Sequence, residues 1–98
     1  MSAIEMSIFK LNGYSAVDFI KANTEVDVFL KRQPGFQSRT IAEQEDGTII
    51  DILIWDSVEN GTTSAELLLV ELKDSSVHSM IDQKTVTWVV APIRHQLY

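Results

Sequence analysis

Asp51 lies inside TIIDILIW, a run of β-branched and apolar residues. A carboxylate set among isoleucines is costly to bury unless it finds a partner or a proton, which makes Asp51 a candidate catalytic base. Arg39, in the preceding segment, carries a planar fork that could orient an anionic or carbonyl substrate; the structural alternative is an ion pair with Asp51 across adjoining strands. His78 is a candidate acid, base or axial ligand, with plain solvent exposure as the alternative. Trp55 and Trp88, together with Phe36, are candidate walls of a flat aromatic pocket, although large aromatics on strands are more often core or interface anchors. His78 and His95 lie far apart without a ligand spacing to nearby carboxylates, so no metal site is expected. Gly13, Gly35, Gly47 and Gly61 are single turn glycines and form no phosphate loop, so no nucleotide or other cofactor is expected.

The composition narrows the partners. With 98 residues and 45% apolar content, the chain has room for one domain, spanning 1–98, with residues 92–98 as a C-terminal tail. Fourteen acidic against eight basic side chains give a net charge of -6, which disfavours nucleic acid and anionic membranes. The absence of cysteine removes disulfides and thiolate chemistry and fits the cytoplasm. The N-terminal run MSAIEMSIFKLNG lacks a signal-peptide pattern, and no stretch approaches the ~20 apolar residues of a membrane span. The expectation is a soluble, unprocessed chain.

These side chains need elements to position them. Ile4, Met6 and Ile8 alternate with Glu5, Ser7 and Lys10, broken by Phe9 and Leu11, and predict a first strand. Asn12-Gly13 is a turn, and Ser15 with Asp18 resembles a helix start. Ala16, Val17, Ile20, Val26, Val28 and Phe29 then recur at helical steps and predict one buried stripe, with Asn23-Thr24 bending or splitting the helix. Pro34-Gly35 ends it. A strand follows in which Phe36, Ser38, Thr40 and Ala42 share one face and Gln37, Arg39, Ile41 and Glu43 the other. Asp46-Gly47 marks a hairpin into the strand Thr48 to Trp55. Asp56-Ser57 offers a second helix start, but NGTTS is poor helix sequence, so the helix is expected late, with Ala65, Leu68, Leu69 and Leu72 as its apolar face. Thr85 to Ala91 alternates as a last strand that Pro92 closes.

Strand, helix, two hairpin strands, helix, strand is the ferredoxin-like βαββαβ order: an α+β fold with a four-stranded antiparallel sheet and two helices on one face. Both faces of the strands are largely apolar, so the open face calls for a cover such as a second sheet.

The run QPGFQSR, then EQEDGTIIDILIWDS, then a helix and SMIDQKTVTW resembles the dimeric α/β-barrel proteins related to antibiotic biosynthesis monooxygenases, over most of the chain. The resemblance implies a homodimer packed sheet against sheet, with a ligand cavity between each sheet and its helices. It implies a cofactor-independent oxygenase acting on a small aromatic or polyketide-like molecule, or a non-catalytic dimer that binds a small ligand or is purely structural. Quinone-forming relatives place asparagine and tryptophan near the start of the second helix, where this chain has Trp55 and Asn60. Haem-degrading relatives use an asparagine of the first strand with a tryptophan and a histidine of the second helix region. Here Asn12 ends the first strand, His78 follows the helix, and Leu67, Leu68 and Leu69 stand in the helix with no tryptophan among them.

Overall fold

The computed structural model describes all 98 residues. Strands β1 (Ala3–Leu11), β2 (Phe36–Glu43), β3 (Ile49–Trp55) and β4 (Ile81–Pro92) form one antiparallel sheet in the order β2-β3-β1-β4. Helices α1 (Ala16–Ala22), α2 (Thr24–Lys31), α3 (Val58–Glu71) and α4 (Val77–Met80) fill the two crossovers. This is the ferredoxin-like α+β order, with each of the two expected helices present as a pair.

The first helix splits at Asn23. Ser15 caps α1 by accepting the Asp18 N–H at 3.1 Å. Asn23 then ends α1 and starts α2, and its side-chain amide donates to the Phe19 carbonyl at 2.8 Å. The split resets the helical phase, so the buried stripe differs from the expected one. Phe19, Val26, Phe29 and Leu30 are buried, while Val17, Ile20 and Val28 face outward.

The Pro34-Gly35 turn joins this crossover to β2. Gly35 has φ +79, and its carbonyl accepts the Asp56 N–H at 2.9 Å, which ties the start of β2 to the end of β3. A register shift between Phe36 and Ser38 puts Phe36 opposite Trp55, on the face shared with Arg39. This corrects the simple alternation, which grouped Phe36 with Ser38, Thr40 and Ala42. Phe36 packs edge-on against Trp55 at 5.5 Å between ring centroids.

Helix α3 begins earlier than its composition suggests. Ser57 accepts the Asn60 N–H at 3.1 Å as N-cap, and Gly61 sits against the Trp55 ring, where an added Cβ would lie 2.9 Å from Trp55 Cδ1. Tertiary packing, not propensity, fixes this end. Leu68 and Leu72 pack on the core, whereas Leu69 is largely exposed. Strand β4 starts at Ile81, ahead of the expected Thr85, because Lys10 and Leu11 pair with Asp82 and Ile81 beyond a register shift whose extra residues lie on β4.

The core lies between the sheet and the helices. Ala3, Phe9, Ile49, Leu53 and Trp55 point into it from the sheet and meet Phe19, Phe29, Val77 and Met80. On the opposite face Ile4, Met6, Ile8, Ile50, Ile52 and Ile54 remain only half-buried.

Candidate functional site

The strand parity that buries Phe9 also carries Glu5 and Ser7 to the helix side of β1. There they meet a cavity of about 600 Å³ between the sheet and the helices. Its inner wall is apolar, with Phe9, Phe19, Val26, Leu30, Leu53 and Val77. The space exists because α3 presents Ser64 and Ala65 there, side chains too short to fill it. Exposed lining residues Leu69 of α3 and Gln83, Val86 and Trp88 of β4 mark where it opens to solvent.

Three polar groupings reach this cavity. The first is centred on Arg39 of β2, whose side chain is only 10% exposed. Its Nε donates to Asp51 Oδ1 at 3.1 Å and its Nη2 to Asp51 Oδ2 at 2.7 Å, a bidentate pair across the β2–β3 ladder. Nη1 donates to Asp27 Oδ1 at 2.9 Å and Nη2 to Asn23 Oδ1 at 2.8 Å. Burial by itself would lower the Arg39 pKa; the hydrogen bond and charge of Asp51, followed by those of Asp27, outweigh it and hold the pKa above the ordinary guanidinium value. Arg39 is therefore a fixed positive charge with each of its three nitrogens engaged and four of its five N–H donors committed. Asp51 is equally committed, since each of its oxygens accepts from that guanidinium.

The second grouping is His78, on the four-residue α4. Its Nε2 lies 2.8 Å from the Leu72 carbonyl, and since a carbonyl only accepts, the hydrogen sits on Nε2. In the neutral ring Nδ1 is then left as an acceptor.

The third is Glu5, a carboxylate 8% exposed. Trp55 Nε1–H donates to its Oε1 at 2.8 Å, and Trp88 Nε1–H donates to its Oε2 at 2.8 Å. Indole is a donor only, so both oxygens serve as acceptors, and no arginine or lysine is paired with them.

Of the residues singled out from the sequence, Asp51, Arg39, His78 and Trp88 line this one cavity. Trp55, Phe36 and Asn60 do not. Trp55 is fully buried behind the wall, with Phe36 on its ring. The Asn60 amide donates to Asp56 Oδ1 at 2.8 Å, at the α3 N-terminus beside the Gly35 turn. Asn12 also stays outside, with its amide donating to the Ser79 and Ile81 carbonyls at 3.1 Å each. Sequence reasoning missed Glu5 and Asn23. Glu5 reads as a solvent position between isoleucine and methionine; its shared parity with Phe9 and Leu11 was the signal that it faces inward. Asn23 reads only as a helix interruption.

No model of a known protein family matches the chain, and no curated protein matches it in sequence. Solved structures do match. The chain has the ferredoxin-like fold of the antibiotic biosynthesis monooxygenase structures. SnoaB, a cofactor-independent oxygenase from Streptomyces nogalater, superimposes with a TM-score of 0.78 at 16% identity, over 98% of this chain and 96% of that one. The monooxygenase ActVA-Orf6 of Streptomyces coelicolor, solved with nanaomycin D, gives 0.72 at 17% identity, over 99% and 91%. A MhuD variant with two manganese protoporphyrin IX molecules in each active site gives 0.73 at 9% identity, over 98% of both chains. At these identities the likeness is one of fold.

Proposed function

We propose that this protein is a cytoplasmic, homodimeric, cofactor-independent oxygenase of small hydroxyaromatic or polyketide-like molecules. The observation that carries the reading is the cavity itself: about 600 Å³, walled by aromatic and aliphatic side chains, with a few buried polar groups directed at it. Its size fits a flat molecule of two or three rings. SnoaB and ActVA-Orf6 share the fold and support oxygen chemistry in such a space.

The reaction balances without an added reductant. A hydroxynaphthalene and dioxygen give a naphthoquinone and water: one oxygen atom is inserted at a ring carbon, and the other leaves as water with the hydroxyl hydrogen and the carbon-bound hydrogen that it displaces. The ring supplies all four electrons. The dry wall limits side reactions of the reduced oxygen, and His78 Nδ1 is assigned to accept the proton lost from the oxygenated carbon. Asp51 and Arg39, proposed alongside it from the sequence, are assigned to shape and charge the cavity wall.

A second reading, a non-catalytic ligand-binding or structural dimer, draws on the closed Arg39 network, in which Asp51 has no free oxygen and every Arg39 donor nitrogen is engaged. Oxygen-electrode traces with 1-naphthol, other hydroxynaphthalenes and anthrones decide between the two. The oxygenase reading expects protein-dependent dioxygen uptake matched one to one by quinone absorbance, unaffected by chelators. Uptake no faster than buffer across the panel would leave the binding reading standing.

A further inference from the structure

The two oxygens of Glu5 are held very differently. Oε1 accepts from Trp55, which is fully buried, clasped by Phe36 and pressed by Gly61 of α3, and so cannot move away. Oε2 accepts from Trp88, which stands at the rim of the cavity on the edge strand β4 with 49% of its surface exposed. One bond belongs to the core; the other is an exposed side chain resting on a buried acceptor.

The rest of the cavity offers a ligand little competition for that acceptor. Asp51 has both oxygens taken by Arg39. Glu66 lies exposed on α3. His78, Ser7, Thr62, Ser64 and Gln83 offer neutral acceptors only, and hydrogen bonds to a charged acceptor are the stronger kind. An aromatic ring entering between α3 and β4 displaces the half-exposed indole more readily than any part of the packed wall. Its hydroxyl hydrogen can then replace the indole hydrogen on Oε2, leaving no buried acceptor unsatisfied.

From this asymmetry we infer that Glu5 Oε2 is the anchor for the hydroxyl group of an aromatic ligand, and that Trp88 is its exchangeable placeholder. The inference rests on the cavity reading above and adds selectivity to it. The site takes neutral donors such as phenols and enols, and rejects ethers of the same shape, which would strand Glu5 without a donor. Aromatic carboxylates are rejected as well, because the one buried cation, Arg39, is already neutralised by Asp51 and Asp27.

Calorimetric titration under anaerobic conditions, with 1-naphthol against 1-methoxynaphthalene, tests it through the ratio of their dissociation constants. The ether is the more apolar molecule, so an apolar cavity alone would bind it at least as well. The expected result is a preference for naphthol of at least about tenfold, converted from a charge-assisted hydrogen bond. Glu5→Gln is expected to lower that ratio at least fivefold. Trp88→Phe, which leaves the Glu5–Trp55 bond intact and so avoids disturbing the core, is expected to raise it by removing the competing donor. A ratio near one in the unaltered protein, or a ratio that neither substitution moves, would overturn the role of Glu5 while leaving the cavity reading intact. Binding of neither compound would overturn both.

Discussion

At the residue scale, Arg39 and Asp51 show how a charge is tolerated in a small core. Each is about nine-tenths covered, and the cost of burying either is offset chiefly by the other, with Asn23 and Asp27 adding to it on the Arg39 side. Arg39→Met should therefore lose about 3–5 kcal/mol of stability, because it leaves Asp51 buried and unpaired. Arg39→Met combined with Asp51→Leu should recover most of that. Urea unfolding of the two variants checks the claim, and a loss below about 1 kcal/mol in the single variant would show an ion pair governed by solvent. His78 carries a chemical prediction instead. His78→Gln removes the Nδ1 acceptor and should reduce any quinone-forming rate by about 100-fold with little change in naphthol affinity. Steady-state kinetics read that split, and an equal loss in affinity would make His78 a binding residue.

At the element scale, packing against β3 sets where the helices begin. Gly61 lets α3 approach Trp55, and a side chain there must displace a ring that is fully buried. Gly61→Val gains a few tenths of a kcal/mol in helix propensity and loses more through overpacking, for a net loss of about 2 kcal/mol. A thermal melt showing an unchanged midpoint would contradict that close approach. This also explains what the sequence made legible. The β2–β3 hairpin was readable from Asp46-Gly47 and the isoleucine alternation, and β1 from its period, because turn chemistry and patterning agree there. The first helical stripe was misjudged because a single phase was carried through Asn23, whose side-chain amide closes α1 on the Phe19 carbonyl while its backbone carbonyl accepts the Asp27 N–H that opens α2. The early start of α3 was hidden because Gly61 is a poor helix former that only tertiary contact explains. Of the site, the Arg39–Asp51 pair was legible from a charge set among apolar residues, whereas Glu5 was masked by two apolar neighbours on the opposite face.

At the scale of the whole molecule, the sheet leaves one face without a layer of helices. Ile4, Met6, Ile8, Ile50, Ile52 and Ile54 form its centre, and Val89 on β4 extends it with 49% exposure. A contiguous apolar surface of this kind on so small a domain calls for association, and the proposed homodimer packs it against its own copy. Ile50→Lys should then give a folded monomer, with the native circular dichroism spectrum and half the mass in light scattering at micromolar concentration. A dimer that survives the charge would place the interface elsewhere. Because the cavity lies on the opposite side of the sheet, monomeric Ile50→Lys should still bind ligand.

The proposed ligand, a small hydroxyaromatic molecule, occupies the cavity between sheet and helices. The chain has only two tryptophans, one behind the cavity wall and one at its rim, so a ¹⁵N-labelled sample shows two indole resonances, which Trp88→Phe assigns. Titration with 1-naphthol should move the Trp88 resonance far and saturably while the Trp55 resonance moves much less. If both stay fixed up to the solubility limit of the ligand, the cavity is not a binding site for such molecules and the functional account fails.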